Sequence, residues 1–473
     1  MTTDRISLKE KIGYSVGDTA SNLFFQTFIF FITIFYTDVF GISAKAVGTM
    51  FLVTKIWDAV NDPMMGMIAD RTNTRWGKFR PYILWFAIPF GVVGIMTFTT
   101  PNIGPGGKLV YAYITYTLLM MLYTIINVPY SALMGVITSN ARVRTVVSQF
   151  RFVAAFIGQL IIQYSVPAMV AKFGKGDDAV GYQLAMVVLS VLAIILFFIT
   201  FVSTKERVKP PEEQKTSLKI DLRDLGRNKP WLLIGGATVF QLTHILIRTS
   251  CIIFYFTYYV QDQQVTIFGN SYQFSYLGMF TTFIMAGSIV TILGSLLASW
   301  FSNVLGKRNT YAGFLAASGI FTAGFFFLGP HNVILMFLLH FLVSFSLGPV
   351  SVLQWAMYTD TADYSELMTG RRATGLIMSA SLFALKLGVA LGASALAWLL
   401  AAYGYQPNVE QTATSLTGIR MAISVYAAIP ALIGAAIMLL YPLTNKRMVQ
   451  IEEELTARRK GGAEEAAIAG APE

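Results

Sequence analysis

Charge is scarce in this 473-residue chain, and cysteine and histidine are almost absent. Asp, Glu, Lys and Arg make up 13% of the residues, against roughly 25% in an ordinary soluble domain. That excludes a water-soluble globular protein of this length. The single cysteine, Cys251, excludes a disulfide framework and a thiolate metal centre. Three scattered histidines make no metal cluster, and there is no Gly-rich loop followed by Lys-Ser/Thr to cradle a phosphate. The apolar runs hold no nucleophile–base pair, so an embedded enzyme is not expected. No cleavable signal is expected either, because the polar N-terminus leads straight into an apolar run longer than a signal core.

What the chain has in abundance is apolar length. Hydrophobic residues form 55% of it, in stretches long enough to cross a bilayer as helices of about 20 residues. Twelve are read, roughly at 13–37, 46–69, 81–99, 109–138, 146–171, 181–203, 230–260, 273–300, 310–329, 333–358, 373–403 and 417–441. The expected fold is therefore an all-α membrane protein with twelve transmembrane helices. Basic residues gather before the first run, in alternate connections and in the tail. The opposite connections hold only Lys45, Lys108, Lys172, Lys175 and Arg420. This asymmetry places both termini in the cytoplasm. The net charge of +10 then reflects topology and contact with membrane lipids, not nucleic-acid binding.

The longest polar connection, 204–229, divides the runs six and six. The expected organisation is a bundle at 1–203, a cytoplasmic linker at 204–229, a second bundle at 230–445 and a disordered tail at 446–473. A faint repeat supports it: ADRTNTRWGK follows the second run and ASWFSNVLGKR the eighth. Two similar bundles around a central cavity are the plan of many secondary transporters. In such a fold Asp70 and Arg71 latch neighbouring helices.

The second run contains TKIWDAVNDPMM. An Asp at a helix centre costs on the order of 2.5–3.5 kcal/mol on insertion scales, so such groups pair or line a pathway. Asp58 and Asp62 are four apart and share a helix face with Asn61, while Lys55 lies one turn before Asp58. Two carboxylates and an amide oxygen form a hard-oxygen cluster suited to Na⁺ or to a shared proton. A structural salt bridge from Lys55 is the alternative, but one lysine leaves one acid over.

These residues also carry a resemblance. YTDVFG, KIWDAVNDPMMG, RWGKFRP, YTIINVPY and DTADYSE with TGRRATG are similar to the glycoside–pentoside–hexuronide:cation symporters, the melibiose permeases among them, within the major facilitator superfamily. The resemblance runs from about Lys9 to Asn445. It implies a cation site of Asp58, Asn61, Asp62 and Thr124, with Na⁺ or H⁺ as coupling ion and no other cofactor. It also implies a multi-pass protein of a bacterial inner membrane that carries a sugar or glycoside, with no obligate protein partner.

The sugar site is read from several runs. Asp18, Asn22 and Gln26 form a polar stripe on the first, which is otherwise read as polar glue between helices. Tyr123 and Asn127 precede Pro129 in the fourth. Arg151 and Lys386 match basic positions of the melibiose permeases. Gln354 and Trp355 are expected to face the same region, the indole as a platform for a sugar ring or as an interface anchor. Asn22 and Asn127 stand where those permeases carry sugar-binding acids, which argues against a galactoside. His244 and Arg248 lie one turn apart in QLTHILIRTSCI. With two acids lost and Arg248 added, the cavity favours an acidic sugar, a hexuronide or a sulfonated one. The alternative pairs Arg248 with Asp18 and leaves a neutral glycoside or pentoside. Asp360, Asp363, Glu366, Arg371 and Arg372, opposite Arg142 and Arg144, are expected to form an ionic latch on the cytoplasmic side. More remote readings are a lysolipid carrier, which would want an apolar cavity, and a non-transporting sensor, which would not need paired carboxylates.

Overall fold

In the computed structural model the apolar runs are helices, and α-helices beginning after Ser7, Asp177 and Thr412 start on capping side chains. The structure describes residues 6–138, 141–207, 218–267, 270–369 and 374–451, with 453–455 and 457. Ser7 accepts from the Glu10 N–H at 3.2 Å, Asp177 from those of Ala179 and Val180 at 2.9 and 3.3 Å, and Thr412 from that of Ser415 at 3.2 Å. Each relieves one or two of the amides that a helix start leaves unpaired.

The first six helices are α1 (Leu8–Ile34), α2 (Ala44–Arg71), α3 (Arg80–Thr97), α4 (Pro105–Ile137), α5 (Ala141–Gly174) and α6 (Asp178–Ser203). A short α7 (Leu218–Arg227) precedes α8 (Lys229–Phe254). Then come strands β1 (Gln263–Ile267) and β2 (Asn270–Phe274), an antiparallel hairpin with Gln263 opposite Phe274. Helices α9 (Tyr276–Leu296), α10 (Ala298–Leu305), α11 (Lys307–Gly324), α12 (Val333–Thr369), α13 (Thr374–Ala402), α14 (Ala413–Met421) and α15 (Ala427–Leu439) complete the set. Wider π-helical turns extend α1 through Phe35–Val39 and α8 through Tyr255–Val260, and join α14 to α15 at Ala422–Tyr426.

Eleven helices among the described residues are long and apolar enough to cross a membrane. Helix α2 is the difference from the twelve expected runs. Its 28 residues would extend about 42 Å at 1.5 Å per residue, but Lys55, Asp58 and Asp62 dilute its hydropathy.

The chain forms two compact units. Unit 1 comprises Met1–Glu213, Thr249–Met285 and Ala393–Ala422; unit 2 comprises Gln214–Arg248, Ala286–Gly392 and Ile423–Glu473. One division falls inside the expected linker, and the others cut through later helices. In unit 1, α1 packs on α5 and α6, α3 on α4 and α6, and α2 on α4. Gly158 lets α5 come close to α1: a Cβ there would stand 3.2 Å from Thr19 O and from Asn22 Cβ. In unit 2, α11 packs on α12 and α15 around Tyr311, Leu315, Val350, Met357 and Tyr441.

The described parts of the linker, 204–207 and 218–229, make specific contacts. Glu206 accepts the backbone N–H groups of Lys78, Phe79 and Arg80 at 2.8, 2.8 and 3.0 Å, capping the start of α3. Gly77 beside it has φ 109°, and a Cβ there would lie 2.4 Å from the Glu206 carboxyl. Arg207 pairs with Glu10 at 2.7 and 2.8 Å. In unit 2, Leu225 of α7 packs with Ala362 and Ile377, and Asn228 donates to Thr361 O at 2.9 Å. The disordered tail expected at 446–473 is corrected for its first part. Residues 445–451 are helical, and Met448, Ile451 and Leu455 are buried in the unit 2 core. Their three- and four-residue spacing gives one apolar face.

Candidate functional site

Helices α2 and α4 of unit 1 bring the intramembrane acids together. Thr124 Oγ1 lies 2.9 Å from Asp58 Oδ1 and 2.9 Å from Asp62 Oδ1. Thr124 is 1% exposed and Asp58 4%, so bulk water does not separate these charges. A threonine hydroxyl has one proton and can donate to one carboxylate only. Either that proton is shared between the two acids, or a proton on one acid or a cation between the oxygens would satisfy the second contact. Lys55 Nζ stands 3.7 Å from Asp58 Oδ2 and 3.5 Å from Met120 Sδ. One ammonium against two carboxylates leaves these three side chains with one net negative charge when all are ionised. Asn61 adds an independent sign of fit: its amide nitrogen is buried with no hydrogen-bond partner among the described residues. Turning that amide over presents an acceptor oxygen instead of an orphaned donor. Two carboxylates, a hydroxyl and an amide oxygen suit Na⁺, and the two acids alone suit H⁺.

A second polar group in unit 1 gathers most of the expected sugar-site residues. Arg151 of α5 grips Asp18 of α1 with Nε at 2.9 Å and Nη2 at 3.3 Å. Its guanidinium lies 5.1 Å from the Tyr130 ring centroid. Tyr130 and Tyr14 stack at 4.7 Å and exchange hydroxyl-to-carbonyl bonds at 2.8 and 3.1 Å. Within unit 1 the cation beside Asp18 is Arg151. Asn22 donates to Asp18 O at 2.9 Å, and Gln26 to Asn22 Oδ1 at 3.2 Å. Asn127 accepts from Ser21 at 2.8 Å and donates to Tyr123 O at 3.0 Å. Tyr14, Ser21 and Tyr130 were not foreseen. Tyr130 is the last residue of YTIINVPY, one position beyond its proline, and Ser21 adjoins the Asp18–Asn22–Gln26 stripe.

The expected residues of unit 2 are placed differently. His244 is fully buried, its Nδ1 2.8 Å from Ala427 O and its Nε2 2.9 Å from Ser318 Oγ. With both ring nitrogens occupied it joins helices, which corrects its assignment to a substrate. Arg248, 4% exposed, donates to His340 Nδ1 at 2.8 Å and lies 5.2 Å from the Phe325 ring centroid. A Cβ on Gly287 would come 2.1 Å from His340 Nε2, so the glycine makes room for the imidazole. Gln354 and Trp355 do not share a face: the first is 2% exposed and the second 38%. Adjacent residues on a helix point about 100° apart. Lys386 is half-buried on α13.

The expected latch is resolved in part. Asp360 takes the Lys307 ammonium at 2.7 and 2.9 Å within unit 2. Asp363 and Glu366 are half-buried on α12. Arg371 and Arg372, and the side chains of Arg142, Arg144 and Asp70, lie outside the described residues. A cluster that sequence reasoning missed lies in unit 1, at the end of α1. The Asp38 carboxylate accepts the hydroxyls of Thr37, Tyr258 and Tyr405, the last at 2.5 Å. Asn408, held at φ 59°, donates its amide to Asp38 O and its N–H to the Tyr258 hydroxyl at 3.2 Å. Further back along α1, within unit 1, Ser250 donates to Ile29 O at 2.9 Å.

Comparison with known proteins accords with this architecture. Residues 13–445 match the family described as MFS/sugar transport protein. The inner membrane symporter YicJ of Escherichia coli is 36% identical, over 97% of each chain. The isoprimeverose transporter of Lactiplantibacillus pentosus is 35% identical, over 87% of this chain and 84% of its own. A glucuronide carrier protein homolog of E. coli is 31% identical, over 96% and 97%. Among solved structures, a bacterial homolog of the human lysosomal transporter Spinster superposes with a TM-score of 0.69 at 13% identity, over 94% and 97%. With eleven membrane-length helices, the chain is a multi-pass integral membrane protein.

Proposed function

The chain belongs to the MFS/sugar transport protein family, and from that premise we propose that it carries a sugar or glycoside in symport with Na⁺ or H⁺. In this reading α2 is the twelfth span, both termini are cytoplasmic, and the carrier works by alternating access. Asp58, Asp62, Asn61 and Thr124 hold the coupling cation. The observation that carries the reading is the single Thr124 hydroxyl set 2.9 Å from two carboxylates. A purely structural salt bridge would not need the second acid. In proteoliposomes, Asp62→Asn is expected to abolish gradient-driven accumulation while keeping sugar exchange. Wild-type accumulation by this variant would refute the assignment.

For the sugar, the amides of Asn22, Gln26 and Asn127, the Tyr123 phenol and the Asp18–Arg151 pair offer donors and acceptors suited to hydroxyl groups. Arg151 is already engaged by Asp18, and Arg248 is nearly inaccessible while it donates to His340. This supports an uncharged glycoside ahead of an acidic one, in line with a relative named for isoprimeverose. An acidic substrate, as the name of the glucuronide carrier homolog suggests for that relative, would have to draw Arg248 away from His340.

A further inference from the structure

The repeat that relates RWGK to LGKR has a structural counterpart. In unit 1 the chain turns through Gly77 into α3, and the amides of Lys78, Phe79 and Arg80, which lead into that helix, close on the Glu206 carboxylate at 2.8–3.0 Å. In unit 2 it turns through Gly306, φ 81°, into α11. The segment after the last helix of the bundle again reaches this turn, but it brings a neutral residue. Asn445 Oδ1 accepts from Lys307 N at 3.3 Å, and a Cβ on Gly306 would stand 3.9 Å from it, against 2.4 Å between Gly77 and the Glu206 carboxyl. Among the described residues, no carboxylate takes the Glu206 place at this turn of unit 2.

A cavity of about 270 Å³ lies at that place, lined by Gly306, Lys307, Arg308, Asn445 and Lys446 among others. Lys307 is neutralised by Asp360. Arg308 donates to the neighbouring Asn309 Oδ1 at 3.2 Å, and among the described residues neither it nor Lys446 has a carboxylate partner. Two cations and an open helix start thus face the same space. Leu305 of α10 lines it, and Trp300 and Val304 of the same helix and Leu440 after α15 are exposed, as acyl-chain contacts at a membrane boundary are.

We propose that this cavity binds the phosphate of an anionic phospholipid, with Arg308, Lys446 and the first amides of α11 taking the headgroup and the α10 face taking the chains. The phosphate fills the place that Glu206 fills in unit 1. Basic pockets at a membrane face hold such headgroups, each Lys or Arg contributing on the order of fivefold in affinity, and helix starts favour anions.

The test is native mass spectrometry of the full-length protein released from phosphatidylcholine nanodiscs containing phosphatidylglycerol. Wild type is expected to retain one phosphatidylglycerol that the paired variant Arg308→Gln/Lys446→Gln holds roughly 30-fold more weakly. Asn445→Glu, which brings its own carboxylate as Glu206 does, is expected to expel the lipid and raise Tm. Because a stabilised variant cannot have lost the lipid by unfolding, the two substitutions separate headgroup binding from damage to the fold. Undiminished retention in both variants overturns the proposal. Displacement of the lipid from wild type by millimolar inorganic phosphate overturns it in favour of a soluble anion.

Discussion

Removing one hydroxyl from the Asp38 cluster should change which face of the carrier is open. Asp38 at the end of α1 holds Tyr258 from the end of α8 and Tyr405 from the segment after α13, all within unit 1. Those partners are 220 and 367 residues away in sequence, so the contacts exist only while these ends are together. A hydrogen bond to a charged group contributes about 1.5–3 kcal/mol. Tyr405→Phe deletes one such bond and leaves Thr37 and Tyr258 in place, so the penalty falls on the closed arrangement alone. The closed-to-open ratio should drop by about 10- to 150-fold. Ser250, 3% exposed and bonded to Ile29 O, reports the change. With the buried Cys251 first replaced by Ala, Ser250→Cys should be labelled by an impermeant maleimide added outside much faster in the Tyr405→Phe background than without it. If labelling is unaltered by Tyr405→Phe and by Tyr258→Phe alike, the cluster is packing and not a gate.

Thr124→Val should weaken Na⁺- or H⁺-dependent sugar binding by about tenfold or more, because it removes a hydroxyl that touches both acids; unaltered ion dependence would exclude the hydroxyl as a ligand. Gly77→Ala should lower Tm, as it forces a side chain into φ 109° and against the Glu206 carboxyl, with a cost of roughly 1–3 kcal/mol; an unchanged melting curve would contradict this. Arg248→Gln should weaken a glucuronide and the matching glucoside by similar factors if Arg248 serves His340. A loss confined to the glucuronide would restore the acidic-substrate reading.

The sequence was most legible where physical cost was highest. Carboxylates at the centre of an apolar run stand out, and Asp58 and Asp62 are the acids that meet at Thr124. Thr124 had no such signal, since a helical threonine ordinarily bonds the carbonyl four residues back; the family resemblance supplied it. Asp38 was hidden because an acid at the end of a run reads as solvated. Its tyrosine partners are spread over separate connections, so only the folded chain shows them. The partner of Arg248 could not be read from spacing, because His340 is 92 residues away. The buried face of Met448, Ile451 and Leu455 was masked by the acidic run Glu452–Glu454 and the Gly- and Ala-rich residues that follow.

The charges of Lys55, Asp58 and Asp62 have an electrical consequence. Ionised and without a bound cation they sum to one negative charge, and with one monovalent cation they sum to zero. Asp18 and Arg151 cancel each other. On the proposed cation site, a neutral sugar would cross with its cation while these five side chains carry no net charge, so that voltage would have little purchase on them. The negative carrier that returns empty is pushed outward by an interior-negative potential, by up to about 2.3 kcal/mol per 100 mV if the site traverses the whole field. Membrane voltage then sets the pace of the reset and not of the sugar-loaded step. In proteoliposomes a potassium–valinomycin potential should accelerate net uptake and leave sugar exchange unchanged, whereas equal acceleration of both would place the moving charge on the loaded carrier.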